Sequence, residues 1–120
     1  MHKIVLVVLT ALFLCSGISA HGQMTEEAKI EQLINSVEKA PESTKFIRNG
    51  REYGNGKAAE HLRTKYKRGK KYAGTAELFI KNIASESSLT GKEYHIRFAD
   101  GRTVTARQFF IEELKKIEKE

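Results

Sequence analysis

Cysteine, proline and tryptophan are scarce in this 120-residue chain, which contains one cysteine, one proline and no tryptophan. A single cysteine cannot form a disulfide within the chain, so a disulfide-stabilised fold is excluded. No apolar run reaches the roughly 20 residues that a permanent membrane-spanning helix requires. The fold must therefore be stabilised by packing of an apolar core, for which about 100 residues are enough.

The first twenty residues have the order of features that is typical of a secretory signal peptide. A short basic segment, Met1–Lys3, precedes the apolar run Ile4–Cys15, and the small and polar residues Ser16–Ala20 follow. We expect cleavage after Ala20, which removes the only cysteine and with it any thiolate ligand or nucleophile. A retained N-terminal anchor and a lipid attached to Cys15 are the alternatives.

The remaining residues, 21–120, are predicted to form one domain. Hydrophobic residues make up 40% of the whole chain and charged residues 30%, which is an ordinary globular composition and too apolar for a disordered chain. An exported domain of this kind belongs in the periplasm of a Gram-negative cell, or otherwise outside the cell.

Apolar residues recur at helical spacing in four segments. Thr25 begins the first segment, which ends before Pro41, and the second covers Asn55–Lys67. Thr75 begins the third, and the fourth covers Ala106–Lys119. Threonine hydroxyls are good acceptors for the free N–H groups of a first helical turn, which supports the helix starts at Thr25 and Thr75.

The clearest local signal is a β-hairpin in Thr44–Tyr53, with Asn49 and Gly50 at its tip. An Asn-Gly pair between two short strands favours a type I′ turn, in which both central residues need a positive φ. That turn fixes the register and places Arg48 opposite Arg51. Like charges in this arrangement are unfavourable unless solvent or an anion separates them.

A second alternating segment, Glu93–Phe98, is followed by Asp100 and Gly101 and then by Arg102–Thr105, which predicts a second hairpin. Isolated two-stranded hairpins are marginally stable in water, so we expect both to join one antiparallel sheet. The predicted fold class is α+β, with two β-hairpins packed against about four helices.

Four segments of the sequence occur in an order that resembles a known family. They are Phe46–Gly50 (FIRNG), Ala59–Lys65 (AEHLRTK), Thr75–Ile80 (TAELFI) and Ala84–Ile96 (ASESSLTGKEYHI). The likeness covers about Thr25 to Leu114 and is to a family of small exported bacterial proteins classed as a domain of unknown function. The resemblance implies export and a single domain, and it implies no activity, ligand or catalytic residue.

The first candidate binding site combines the first hairpin with the helix that follows it. We predict that five side chains converge there to bind an anion: Arg48, Asn49, His61, Arg63 and Lys65. Arginine offers a bidentate fork and asparagine a paired donor and acceptor, which suit a carboxylate or phosphate. The alternative is structural, with His61 bonded to a backbone carbonyl and Asn49 required only by its turn.

A second candidate surface is the basic tract, which consists of Lys67, Arg68, Lys70 and Lys71. Residues 63–71 (RTKYKRGKK) contain six basic residues in nine, and Tyr66 interrupts them. An exported protein meets little nucleic acid, so the expected partner is an anionic envelope component: a glycan, a lipid headgroup or a protein. A solvated helix end is the alternative, since cations also suit the helix dipole there.

The sequence contains the residue types of a hydrolase without the motif of one. A hydroxyl nucleophile, a base and an orienting acid are available from Ser85, Ser87, Ser88, His61 and Glu77. No nucleophile elbow accompanies them, so no catalytic residue is assigned. His21 would become the N-terminus after cleavage, but copper chelation there needs a second nearby histidine, and we expect neither a metal nor a cofactor.

These observations favour a small exported envelope protein that is a non-enzymatic binding or interaction module for an anionic partner. Two alternatives stay open. One is a hydrolase-like enzyme that uses His61 with a serine of residues 85–88, and the other is a purely structural partner of another envelope protein.

Overall fold

The computed structural model describes residues 24–119. The predicted signal peptide, residues 1–20, lies outside the described residues, as does His21. Four helices and four strands follow one another in the order α1 (Glu26–Glu38), β1 (Lys45–Arg48), β2 (Arg51–Tyr53), α2 (Asn55–Arg68), α3 (Ala76–Phe79), β3 (His95–Arg97), β4 (Thr103–Thr105) and α4 (Ala106–Lys119). The predicted α+β fold with two hairpins and four helices is confirmed.

Both predicted threonine caps begin their helices. The Thr25 hydroxyl accepts the Ala28 N–H at 3.1 Å at the start of α1. The Thr75 hydroxyl accepts the Leu78 N–H, also at 3.1 Å, at the start of α3. Each contact satisfies an N–H group that has no partner within its helix, which stabilises the helix start by about 1 kcal/mol.

The first hairpin has the turn and the register that the sequence predicts. Asn49 has a φ of 52° and Gly50 a φ of 79°, as a type I′ turn requires. Phe46 lies opposite Tyr53, and Arg48 lies opposite Arg51. The Arg48 side chain is consequently on the same face of the sheet as the buried Phe46, because residues two apart on a strand share a face.

The two hairpins form a single antiparallel sheet with the strand order β2-β1-β3-β4. Strands β1 and β3 join them, with Phe46 opposite Ile96 and Ile47 opposite His95. The face that carries Phe46 and Ile96 is covered by the helices, whereas the face that carries Ile47 and His95 is partly exposed. Antiparallel sheets commonly pack one face against the core and leave the other in contact with solvent.

The core is a single cluster of apolar side chains contributed by every helix and by the two central strands. Its most deeply buried large members are Ile30, Leu33, Ile34, Val37, Phe79, Ile96 and Phe110. Phe79 meets Phe110 edge-on at 6.3 Å between ring centroids, which ties α3 to α4. Within residues 24–119, no helix combines the length and hydrophobicity of a membrane span.

Two short irregular helices, which the sequence did not predict, border the region described below. A 3-10 turn, Lys70–Tyr72, follows Gly69 at the end of α2. A π-helical segment, Ile80–Ala84, continues α3, and the Ser85 hydroxyl donates to the Ile80 carbonyl across this wider turn. Wider turns of this kind are rare in proteins and occur frequently near functional sites.

Candidate anion-binding cleft

A cleft of about 730 Å³ lies between α2, the first hairpin and the segment that runs from the π-helix into the loop of residues 85–92. Its volume falls in the range of about 300–1,000 Å³ that is usual for small-molecule sites. The residues that line it include Phe46, Arg48, Asn49, Tyr53, His61, Leu62, Lys65, Arg68, Tyr72, Ile83, Ser87, Ser88, Leu89, Tyr94, His95, Ile96 and Phe110.

The floor of the cleft is apolar. Phe46, Leu62, Ile83, Ile96 and Phe110 all contribute to the lining, and each of them is buried. These residues belong to the core cluster as well, so the cleft is an opening onto the core of the domain. An apolar floor lowers the local dielectric constant, and nearby charges therefore act on a bound ligand more strongly than they would in water.

The rim of the cleft is positively charged. Arg48, Lys65 and Arg68 contribute fixed cations, and His61 contributes an imidazole. No aspartate or glutamate takes part in the lining among the residues that the structure describes. The charge that a ligand meets at this opening is consequently of one sign.

Arg48 is held at the rim by a tyrosine. Its Nη2 atom donates to the Tyr53 hydroxyl at 3.4 Å, and its guanidinium carbon lies 5.2 Å from the centre of the Tyr53 ring. This hydrogen bond, together with the nearby positive charge, lowers the pKa of Tyr53 from its usual value. An arginine carries five N–H donors, so most of the donors of Arg48 are left for solvent or a ligand.

His61 packs edge-on against the same tyrosine ring, at 4.9 Å between centroids and an interplanar angle of 76°. Burial lowers the pKa of His61, and the positive charges of Arg48 and Lys57 lower it further, while Glu60 opposes them. The imidazole is therefore neutral at pH 7. At that pH the rim charge comes from the arginines and the lysine, and His61 supplies a neutral hydrogen-bonding group.

Lys65 is anchored on the opposite side of the rim. Its Nζ atom donates to the Glu86 backbone carbonyl at 2.7 Å and to the Tyr94 hydroxyl at 3.1 Å. The same atom lies 4.9 Å from the centre of the Tyr94 ring. Because the ammonium group has three N–H donors, one is left for a ligand, and the other two fix where it points.

Asn49 lines the cleft, but its side chain is engaged by the protein itself. Its amide nitrogen donates to the Ser87 hydroxyl at 3.3 Å, and its amide oxygen accepts from the Thr90 hydroxyl at 2.7 Å. The side chain thus fastens the hairpin tip to the loop of residues 85–92. The sequence predicted a donor and acceptor for a ligand here, whereas the structure shows that both serve the loop.

Arg63 is the one predicted anion ligand that the structure leaves outside the cleft. Its guanidinium contacts the Glu38 carboxylate at 2.6 Å and the Asn35 amide oxygen at 3.0 Å, both on α1. Residues four apart share a helix face, as His61 and Lys65 do, whereas a residue two positions away points elsewhere. Arg63 therefore ties α2 to α1, and the prediction that it joins the other four residues is corrected.

Arg68 takes the place on the rim that was expected of Arg63. His61, Lys65 and Arg68 follow one another at intervals of four and three residues, which is the spacing of one helix face. That spacing was available in the sequence and could have identified Arg68. The position of Tyr94 at the cleft was harder to predict from the sequence, because it depends on the pairing of β3 with β1.

The basic tract extends from the cleft rim across the end of α2. Arg68 lines the cleft, and Lys67 precedes it in the last turn of α2. Lys70 lies 5.7 Å from the centre of the Tyr66 ring, and Lys71 lies 5.1 Å from that of Tyr72. Lys70 also pairs with Glu27 at 3.9 Å, so the tract meets the cleft through Arg68 and through Tyr72, which also lines it.

Two of the serines on which the alternative hydrolase hypothesis depends are engaged in structural hydrogen bonds. The Ser85 hydroxyl donates to the Ile80 carbonyl, and the buried Ser87 hydroxyl accepts from Asn49 and from the Leu89 N–H at 3.2 Å. None of the hydrogen bonds that the structure gives these two serines involves His61. Ser88 is exposed at the edge of the cleft, and Glu77 lies on α3 outside the lining.

Comparison with known proteins gives two matches. Residues 24–118 match the family described as a family of unknown function (DUF5329). A relative in Salmonella typhimurium, described as the uncharacterized protein YfeK, is 39% identical over 94 residues, which cover 78% of this chain and 77% of the relative. No solved structure matches the chain.

Proposed function

The chain belongs to the family of unknown function (DUF5329), and we propose that it is a small exported envelope protein that binds an anionic ligand in the cleft without catalysing a reaction. The observation that carries the proposal is the lining of the cleft. It combines Arg48, Lys65 and Arg68 with no described carboxylate, above an apolar floor.

Structural cations are normally neutralised by nearby carboxylates, and this chain has them elsewhere. Arg97 pairs with Glu52 at 2.7 Å, and Lys29 pairs with Glu26 at 3.1 Å. At the cleft, Arg48 and Lys65 instead donate to the hydroxyls of Tyr53 and Tyr94. Their positive charge is consequently available to a ligand, and charge-assisted hydrogen bonds are about twice as strong as neutral ones.

Two features support binding without chemistry. The hydroxyls of Ser85 and Ser87 are committed to the π-helical turn and to the loop, and His61 packs against Tyr53. A serine nucleophile needs a base within hydrogen-bond reach, and none of the hydrogen bonds of Ser85 and Ser87 involves His61.

The proposal is tested by thermal unfolding of the mature chain with a panel of anions, which includes phosphate, acetate, a sulfated glycan and an acidic lipid, each beside a neutral counterpart. A ligand at about ten times its Kd stabilises the folded state by ~1.4 kcal/mol. For a domain of this size, that raises Tm by roughly 6–11 °C. The shift should shrink as salt screens the rim charges.

The matched variants separate the cleft from general charge. Arg48→Gln with Lys65→Gln removes two rim cations, and we expect it to weaken anion binding about a hundredfold or more, since each lost charge-assisted hydrogen bond costs about 1.5–3 kcal/mol. Arg107→Gln with Lys119→Gln removes the same charge outside the cleft and should leave binding intact. If no anion acts more strongly than its neutral counterpart, the proposal is wrong.

A further inference from the structure

We infer that the ligand of this cleft is an anionic amphiphile with a single hydrocarbon chain, whose head group lies at the positive rim and whose chain lies on the apolar floor. This inference rests on the proposed function, because it assumes that the rim binds an anion, and it adds the chemical class of the rest of the ligand.

The size of the cleft is the first argument. An inorganic anion would occupy the rim and leave most of the 730 Å³ filled with water. That water would lie against exposed apolar side chains such as Leu89, which offer it no hydrogen bonds. Replacing water on an apolar surface with hydrocarbon is favourable in proportion to the area that is covered.

The composition of the floor is the second argument. A polar ligand such as a sugar needs several converging donors and acceptors, because each of its unpaired polar groups would be costly to bury. The floor offers phenyl and aliphatic side chains, and no buried side-chain nitrogen or oxygen of the described residues lacks a partner. The buried polar side chain in the lining, Ser87, already has partners in Asn49 and the Leu89 N–H, so the polar groups that are left for a ligand lie at the exposed rim. A ligand that is polar at one end only fits this arrangement.

The exposed apolar side chains at the opening are the third argument. Of the three large hydrophobic residues that are exposed in the described part of the chain, Tyr72 (58%) and Leu89 (94%) line this cleft. Leu89 sits in a polar loop between Ser88 and Thr90, and the packing of the domain gives it no role. A hydrocarbon chain in the cleft would give both residues an apolar partner.

The tyrosines connect the two halves of the site. Tyr53 and Tyr94 turn their hydroxyls toward Arg48 and Lys65, and both line the cleft. A tyrosine side chain suits a boundary where one end is apolar and the other is wet. The boundary between head group and chain is therefore placed at these two rings.

The test is a series of alkyl phosphates and alkyl carboxylates of increasing length, measured by calorimetry below their critical micelle concentrations. Each methylene that enters the floor should tighten binding about fourfold, until the cleft is full and the affinity levels off. The two head groups distinguish a phosphate-bearing ligand from a fatty acid. Inorganic phosphate and the neutral amphiphile decyl maltoside complete the series, and both should bind much more weakly than decyl phosphate.

The variants use exposed positions, so that folding is not at risk. Leu89→Ser removes the apolar side chain at the cleft and should reduce the gain per methylene, with no effect on inorganic phosphate. Leu78→Ser removes an equally large exposed side chain (40% exposed) that does not line the cleft, and should change nothing.

The outcomes distinguish this inference from the proposed function. If inorganic phosphate binds as tightly as decyl phosphate, the inference is wrong and the anion site stands. If decyl maltoside binds as tightly as decyl phosphate, the charge has no role and the proposed function fails with it. Binding to phosphatidylglycerol vesicles without binding of the monomeric amphiphiles would overturn the inference in favour of a membrane surface.

Discussion

At the scale of single residues, the cleft depends on how each polar side chain is held. Arg48 and Lys65 are positioned by tyrosine hydroxyls, whereas Arg63, from the same stretch of helix as Lys65, is bound to α1. All three side chains carry a positive charge, and the direction in which each one points decides whether it faces the cleft. The pH response of His61 follows from the same arrangement.

We predict that an anionic ligand binds more tightly as the pH falls from 7 to 5. The imidazole of His61 faces Arg48 and Tyr53 from the hairpin and Lys57 and Glu60 from its own helix, and its pKa lies below 6.5 in the free protein. An anion beside it favours the imidazolium, so it raises that pKa, and protonation must strengthen binding in return.

Decyl sulfate, whose charge does not change in this range, is the appropriate probe for that prediction. Its affinity should increase severalfold on acidification, and NMR titration should show the pKa of His61 rising when it binds. His61→Gln should flatten most of the profile, and a wild-type profile as flat as that of the variant would remove His61 from the site.

Asn49 allows a turn effect to be separated from a loop effect. Asn49→Gly keeps the positive φ of the turn but loses both side-chain hydrogen bonds to the loop. We expect a loss of about 1–2 kcal/mol in unfolding free energy, given that a single hydrogen bond contributes about 1 kcal/mol. Amide hydrogen exchange in residues 85–92 should accelerate, and unchanged protection there would show that Asn49 acts only through its turn.

At the scale of elements, the first hairpin is the part most fully determined by local sequence. Asn49 and Gly50 specify the turn, and the turn specifies the strand register, so the pairing of Arg48 with Arg51 could be predicted without knowledge of the rest of the fold. A single antiparallel sheet that contains both hairpins was expected from stability arguments, and the structure confirms it. The structure adds that β1 and β3 are the strands that join them.

The turn glycine and a helix glycine should respond to the same substitution with opposite signs. Gly50→Ala places a side chain at a φ of 79° in open space, so its cost is conformational alone, about 1–2 kcal/mol. Gly56→Ala lies in the first turn of α2, also in open space, and should stabilise by about 0.5–1 kcal/mol. Chemical denaturation measures both, and a neutral Gly50→Ala would contradict the type I′ turn.

The irregular elements mark the limit of local prediction. The π-helical segment Ile80–Ala84 satisfies ordinary helical periodicity in the sequence, and its wider turn depends on the Ser85 hydroxyl and on packing against α4. Likewise, the direction in which Arg63 points follows from the position of Glu38 on α1. Both depend on contacts between elements, and a pattern within one element carries no information about them.

At the scale of the whole molecule, charged side chains fasten the N-terminal turn of α1 to α3 and to α4. The Glu26 carboxylate accepts the Ala76 N–H of α3 at 2.8 Å, and Lys29 contacts Glu118 of α4 at 3.1 Å. The Ala76 hydrogen bond, followed by that from Lys29, lowers the pKa of Glu26 below its usual 4.5. This contribution to stability is present above that pH and is lost as the pH falls through the pKa of the folded state.

Glu26→Gln should therefore be less stable than the wild type at pH 7. The difference should begin to close below about pH 4.5 and should vanish below the lower pKa of the folded state, where the wild-type acid is itself neutral. Glu42→Gln changes an exposed carboxylate beside Pro41 and serves as the control. Urea denaturation at several pH values measures both variants. A constant difference between Glu26→Gln and the wild type from pH 7 to pH 3 would rule out the carboxylate bond as its origin.

The central claim is that the cleft binds an anion, and the most direct measurement is an NMR titration of isotope-labelled residues 21–120 with decyl phosphate. The amide signals that shift should belong to the hairpin tip, to α2 between His61 and Gly69, and to the loop of residues 85–92. Shifts confined to the opposite face of the sheet around Arg97 and Thr103, or no shifts at saturating ligand, would contradict the account.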